Sequence, residues 1–138
     1  MNKNENSLTD PSIKSLFENK NLAFIATSMK DGSPHVTPTW VDIENSFILI
    51  NTAMGRVKQK NVARDPRVSI SVADNNNPYH MVTVNGEIIE QITGDQAEKH
   101  IDKLAKKYLN QDKYPGRSPG EKRILLKIKP NKVFHMNQ

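Results

Sequence analysis

At 138 residues the chain fits one domain with room for a real core. Lys and Arg number 20 against 15 Asp and Glu, and the formal charge of +5 suits nucleic acid, a phosphorylated cofactor or an acidic substrate. With no cysteine, disulfides, thiolate metal sites and a Cys nucleophile are excluded. No apolar run nears the roughly 18 residues of a membrane span, and the polar stretch Met1 to Ser7 lacks a signal-peptide core, so a cytoplasmic protein away from membranes is expected.

Residues 1–8 read as a flexible tail of a single domain spanning 1–138. Asp10-Pro11 fits an N-cap followed by the first helical position, opening a short helix to about Phe17 with Ile13, Leu16 and Phe17 inward. The run 22–27 is a strand, and Asp31-Gly32 gives a strong hairpin signal. Its partner, 35–41, contains Pro38, which cannot donate a ladder bond; the strand is therefore an edge, or bulged there. Glu44-Asn45 turns the chain into the apolar run Phe47-Ile48-Leu49-Ile50.

A short loop follows, with Asn51 and Thr52 at its mouth and Gly55 at its end, and opens into a short basic helix bearing Arg56, Lys58 and Lys60. Unpaired N–H groups at a helix start, two or three cations and the Thr52 hydroxyl make a seat for a phosphate. On spacing alone the alternative is a solvated basic turn. A strand over 67–73, a loop over 74–78 and a long strand from Tyr79 to Ile92 come next, with Gly86 as a bulge or close-approach point. Thr93 and Gln96 fit a capping box. The helix behind them directs Ala97, Ile101, Leu104, Ala105 and Tyr108 to one face. A Pro- and Gly-rich loop then leads to strands at 124–128 and 132–136.

This order predicts a mainly β (α+β) fold: a closed or nearly closed small barrel of six to seven mostly antiparallel strands, with helices at its ends. Catalytic motifs are scarce. There is no G-x-S-x-G, no G-x-G-x-x-G, no Walker motif and no paired carboxylates in an apolar setting. The histidines His35, His80, His100 and His135 lack ligand-like spacing and read as surface or interface residues; no metal site is expected. What remains is a phosphate seat on a barrel, which a cofactor carrying its own chemistry could use.

The segment Asn51 to Val72, with Arg56-x-Lys58-x-x-Asn61 and Asp65-Pro66-Arg67-Val68, resembles the flavin-phosphate segment of the pyridoxamine 5'-phosphate oxidase-like split-barrel family. The hairpin 31–40 and the closing stretch Arg123 to Pro130 sit where that family has them. The resemblance implies an FMN-binding type of split barrel, a homodimer with two cofactor sites at its interface. A flavin-like ring would lie against Thr37, Pro38 and Thr39 and the strand end at Asn51 and Thr52. Arg56 and Lys58 would hold the phosphate, Asn61 would support that loop, and Tyr79 would pack on the cofactor. Without the family, Trp40 and Tyr79 read as core or interface residues, and Lys60 and Arg64 as solvent-facing charge.

The single-domain length and the form Gly55-Arg56-x-Lys58-x-x-Asn61 are similar to the deazaflavin branch, which uses coenzyme F420; FMN is the alternative. The chain's end soon after Phe134 argues against pyridoxamine phosphate oxidase activity itself. The expectation is an oxidoreductase passing hydride between reduced F420 and a small conjugated substrate, with no side chain named as catalytic. Two rivals stand beside it. One is a split barrel that only sequesters a flavin or haem. The other is a basic nucleic-acid-binding barrel, against which stands the lack of aromatic residues interleaved with the basic ones.

Overall fold

The computed structural model describes residues 2–3 and 8–137. In chain order the elements are β1 (Asn2–Lys3), α1 (Pro11–Glu18), β2 (Ala23–Ser28), β3 (Pro34–Thr39), β4 (Asp42–Glu44), β5 (Phe47–Ala53), α2 (Val57–Arg64), β6 (Arg67–Asp74), β7 (Asn77–Ile92), α3 (Asp95–Leu109) and β8 (Arg123–Asn137). The strands form one antiparallel sheet in the order β3-β2-β6-β7-β8-β5-β4, with β1 added on β8. The two ends of that path, β3 and β4, are consecutive in the chain and separated only by Trp40 and Val41. One extended segment thus pairs with β2 by its first half and with β5 by its second, so the sheet curls back on itself. This is the expected split barrel.

Period-two alternation decides which side chains fill it. Ile25, Ile48, Ile50, Ile70, Val82, Val84, Leu126 and Ile128 all point inward and are fully buried or nearly so. Helix α1 closes one end with Ile13, Leu16 and Phe17; its N-cap Asp10 accepts from Ser12 N at 3.0 Å, as the Asp-Pro signal predicts. Pro38 sits on an edge strand, and the register passes through Phe24↔Pro38 without a shift, which settles edge against bulge. At Gly86 the register does shift. A Cβ there would lie 2.5 Å from the carbonyl oxygen of Lys129, so the close approach of β8 admits only glycine.

Several local expectations are corrected. The proposed tail carries structure: Asn2–Lys3 pair with Phe134 and Val133, and Leu8 is fully buried in the core; residues 1 and 4–7 lie outside the described residues. Asn51 and Thr52 belong to β5 itself, because the strand continues to Ala53 against β8. The loop at 74–78 shrinks to a turn at Asn75 and Asn76, since Asp74 accepts from Asn76 N at 2.8 Å and Asn21 accepts from Asn75 N at 3.0 Å. The capping box at Thr93 does not form; Gly94, at φ 83, caps α3 without a side-chain bond. The two closing strands are one, β8, because Pro130 falls opposite Gly86 at the bulge and pairing with β7 resumes on either side, with a second register shift between Ile88 and Glu90.

Helix α3 lies across the outer face of β5 and the start of β8, where Leu49, Ala97 and Leu125 pack together. Both faces of Phe47 to Ile50 are therefore used within one chain, and that run marks no surplus surface. The surplus is elsewhere. Phe24, Val36, Phe134 and Met136 are exposed on the outer face of β2, β3 and β8, joined across β6 and β7 by Ser71, Thr83 and Met81. Among the described residues no helix is long and apolar enough to cross a membrane. Replacing Gly86 by Ala is expected to destabilise the fold by about 1–3 kcal/mol, since backbone must move to admit the methyl group; urea unfolding of the two proteins measures it, and equal midpoints would show that the bulge has slack.

Candidate functional site

The site forms where β3, β5, α2 and β8 meet. Strand β5 leads through Met54, whose N–H donates to Lys122 O at 2.9 Å, to Gly55 at φ 87, a conformation that favours glycine. Arg56 caps α2 with no side-chain bond to the helix, and Gln59 reaches back to accept from Gly55 N at 3.1 Å. This geometry aims Arg56 and Lys58 away from the solvent-facing side of α2 and into two adjoining cavities. Lys60 stays exposed and lines neither.

The first cavity, about 270 Å³, lies between β3 and α2 and is lined by His35, Thr37, Pro38, Thr52, Arg56 and Lys58, with Val57 at its edge. Its walls contain two buried polar atoms with no partner, His35 Nδ1 and Thr37 Oγ1. Such atoms are rare in native proteins and call for a bonding partner. The second cavity, about 290 Å³, shares Pro38, Thr52, Arg56 and Lys58 with the first and continues past Thr39 and Asn51 to Arg123. Its far wall is apolar and aromatic, made by Trp40, Ile101 and Tyr114 together with Leu22. Trp40 stacks on Tyr108 at 5.2 Å between ring centroids and meets Tyr114 edge-on at 5.9 Å.

The cations here are under-neutralised. Glu121 bridges two of them, accepting from Arg56 at 3.3 Å and from Arg123 at 3.0 Å. Lys58 has no hydrogen-bond or ion-pair partner among the described residues, and it is pushed down to about 8 by burial and by the charges of Arg56 and Arg123. Unspent donors around Thr37 and Lys58 match an anionic, oxygen-rich group, so the residues present fit a phosphate-bearing cofactor.

Behind the cleft runs a buried chain of hydrogen bonds. Asn51 Oδ1 accepts from Arg123 Nε at 2.9 Å, and its Nδ2 donates to Ala97 O at 2.9 Å and meets His100 Nδ1 at 3.2 Å. Arg only donates and a carbonyl only accepts, which assigns the amide's orientation. His100 Nδ1 must then accept, leaving its proton on Nε2 for Asp42, 3.0 Å away. Burial alone would raise the Asp42 carboxyl, but hydrogen bonds from His100 and Lys103 hold it at about 2.

Of the expected residues, the structure brings together Thr37, Pro38, Thr39, Asn51, Thr52, Arg56 and Lys58. Asn51 reaches the cleft mainly through Arg123, since its own amide is spent internally. Asn61 lies outside both cavities: buried, it donates to Thr27 Oγ1 at 3.0 Å and accepts from Arg64 at 3.1 Å, tying α2 to β2. Tyr79 stands at the start of β7, 65% exposed and outside both cavities. His100 is a buried hydrogen-bonding residue rather than the surface or interface group expected, while His80 and His135 face each other at 3.1 Å. Arg64 and Arg67 are engaged too, by Ser28 O and Asn61 and by Asp65.

The sequence reading missed Arg123, His35, Trp40 and Tyr114 as cleft residues. His35 could have been found, since it shares a strand face with Thr37 and Thr39. Arg123 carries no such signal, because only its register opposite Ala53 places it there.

A split barrel with a cationic cleft at its seam defines a class of cofactor-binding domain. The chain belongs to the pyridoxamine 5'-phosphate oxidase family, whose profile matches residues 9–137. It is similar to a solved structure named F420 reductase at 25% identity, covering 88% of this chain and 94% of that one, with a TM-score of 0.77. A conserved hypothetical protein from Mycobacterium tuberculosis is 21% identical, covering 93% and 84%, with a TM-score of 0.75. General Stress Protein 26 from Bacillus anthracis is 15% identical, covering 94% of each chain, with a TM-score of 0.69. The last two likenesses bear on the fold alone. None of the curated sequences compared with the chain matches it.

The Lys58 shift has a testable sign. With its pKa lowered from 10.5 to about 8 in the fold, the unfolded chain binds more protons between those values, so stability rises with pH there. Replacing Lys58 by Gln is expected to flatten that rise, leaving the share due to Lys107, which burial also lowers to about 8. Thermal unfolding from pH 7 to 10.5 reads the difference; parallel curves would mean that Lys58 is fully solvated.

Proposed function

We propose that the protein is an oxidoreductase that passes a hydride between reduced coenzyme F420 and a small conjugated substrate, with FMN as the alternative cofactor. The observation that carries this reading is the pair of adjoining cavities that share Pro38, Thr52, Arg56 and Lys58. One cavity has unspent donors for a phosphate and the other has an apolar wall, so two molecules could meet across the shared residues. Support for the deazaflavin comes from the F420 reductase at 25% identity. The cofactor supplies the redox chemistry when bound. The chain's part is to bind and orient: Lys58 and Arg56 toward the phosphate, Thr37 and His35 with their unpartnered atoms toward polar edges of the ring system, and Thr52 at the junction. No side chain is assigned as an acid or base.

The reading includes a homodimer. Its support is the outer sheet face carrying Phe24, Val36, Phe134 and Met136, an uncharged patch of the kind that marks an interface. Tyr79 belongs to the same face by strand parity with Met81. A second copy seated there would give Tyr79 access to the neighbouring chain's cofactor, a role it has no means to fill within its own chain.

The absorbance of the purified protein, with mass spectrometry of any released ligand, tests the cofactor assignment; colourless protein that binds neither F420 nor FMN would overturn it. Lys58→Ala is expected to weaken cofactor binding by about 1.5–3 kcal/mol, the worth of a charge-assisted bond, roughly 10- to 100-fold. Equal affinities in the two proteins would remove the phosphate seat. Dilution below the dimer's dissociation constant is expected to release the cofactor with the loss of the dimer, followed by light scattering and cofactor fluorescence. A monomer that keeps its cofactor would sink the shared-site arrangement.

A further inference from the structure

We propose that the second cavity takes a small planar aromatic carboxylate, its carboxylate on the free side of the Arg123 guanidinium and its ring against Trp40 and Tyr114. This rests on the hydride-transfer reading above and names the chemistry of the second molecule.

Arg123 is 2% exposed, yet it lines the cavity. Its Nε is committed to Asn51, its Nη1 to Glu121 and its backbone N–H to Glu98, at 2.9, 3.0 and 3.0 Å. Nη2 has no partner among the described residues. The guanidinium has exchanged most of its water for fixed bonds, and Nη2, which is not one of the sealed unpartnered atoms, remains open to an acceptor. The planar fork matches a carboxylate.

Charge adds to the case. Arg56, Lys58 and Arg123 converge on the cleft, and Glu121 is the acid paired with them, which leaves about two uncompensated positive charges there. One suits the cofactor seat at Lys58, on the side of Thr37. The other lies at the opposite end, where Arg123 sits 5.1 Å over the Tyr114 ring. That end is mainly apolar and aromatic: Ile101 has no polar side-chain atom, Trp40 only a donor and Tyr114 a single phenol oxygen, and the Trp40 indole is held flat by its stack on Tyr108. A cationic partner would leave Nη2 unanswered, a neutral carbonyl would accept from it without balancing the charge or filling the fork, and a non-planar partner would waste the aromatic wall. The Asp42–His100–Asn51 chain behind Arg123 makes these three positioning residues for its guanidinium.

The test uses cofactor-free protein and the quenching of Trp40, the single tryptophan. Cinnamate and cinnamamide are the probes, alike in shape and different in charge. Cinnamate is expected to bind at least tenfold more tightly, and Arg123→Gln to abolish that preference. Because Arg123 also closes internal bonds, Tyr114→Leu is measured beside it; it sits on a half-exposed loop and is expected to weaken both probes several-fold while keeping the preference. Lys58→Gln is expected to lose less of the preference than Arg123→Gln. Equal binding of acid and amide by the wild type would overturn the proposal, as would a preference that vanishes with Lys58 and survives without Arg123. Cofactor titration is run separately. Failure to bind F420 or FMN with the acid preference intact would remove only the hydride-transfer reading, whereas a bound cofactor with no acid preference would remove only this one.

Discussion

The bend in the β7–β8 ribbon is the constraint on which the rest of the molecule depends. These strands are the two longest, at 16 and 15 residues, and a flat ribbon of that length could not serve both halves of a barrel. At Gly86 the carbonyl of Lys129 comes close enough to exclude any side chain, and beyond it β8 changes neighbours. Its first half lies against β5 and places Arg123 at the cleft; its second half lies in the bare outer face with Phe134 and Met136. The cleft and the candidate interface are thus two ends of one bent strand.

Stability and binding pull in opposite directions at the seam. The core is conventional, with isoleucine and valine inward and α1 as a plug. At the cleft the chain instead buries a lysine beside two arginines and leaves Thr37 and His35 with unanswered atoms. Those groups cost the fold stability, and unanswered donors beside a lowered lysine are a common signature of a binding site. The hydrogen-bonded chain from Asp42 to Arg123 has the opposite character: its internal bonds are made, and apart from Nη2 they hold one guanidinium in place.

What could be read from the sequence was whatever a single segment decides by itself. Pro38 announces an edge, Gly86 a bulge, Asp10-Pro11 a helix start, and Arg56 with Lys58 a cationic patch, each through local backbone chemistry. The cleft's other half was hidden because it is made by register. Arg123 becomes a site residue by falling opposite Ala53, and His100 by lying over Asn51, and neither relation is visible along the chain. Tyr79 shows the converse: family position suggested packing on the cofactor, whereas within one chain it faces outward; Asn61, expected to support the phosphate loop, is buried on Thr27 and ties α2 to β2. The loop at 74–78 was drawn too long because four polar residues in a row before a proline suggest a loop, while Asp74 and Asn77 side chains in fact cap a tight turn.

The prolines of β3 have a second effect beyond marking an edge. The bond from Met29 N to Ser33 O fixes the phase of the hairpin, so Pro34 and Pro38, opposite Ser28 and Phe24, are both at positions whose nitrogen points away from β2. The open side of the strand therefore lacks two of the donors that a stray β-strand would need to attach. Its sequence also carries Val36 in the open, so without that gap it would be a template for edge-to-edge aggregation. The same two residues that let the barrel stop at β3 also keep it from recruiting further strands.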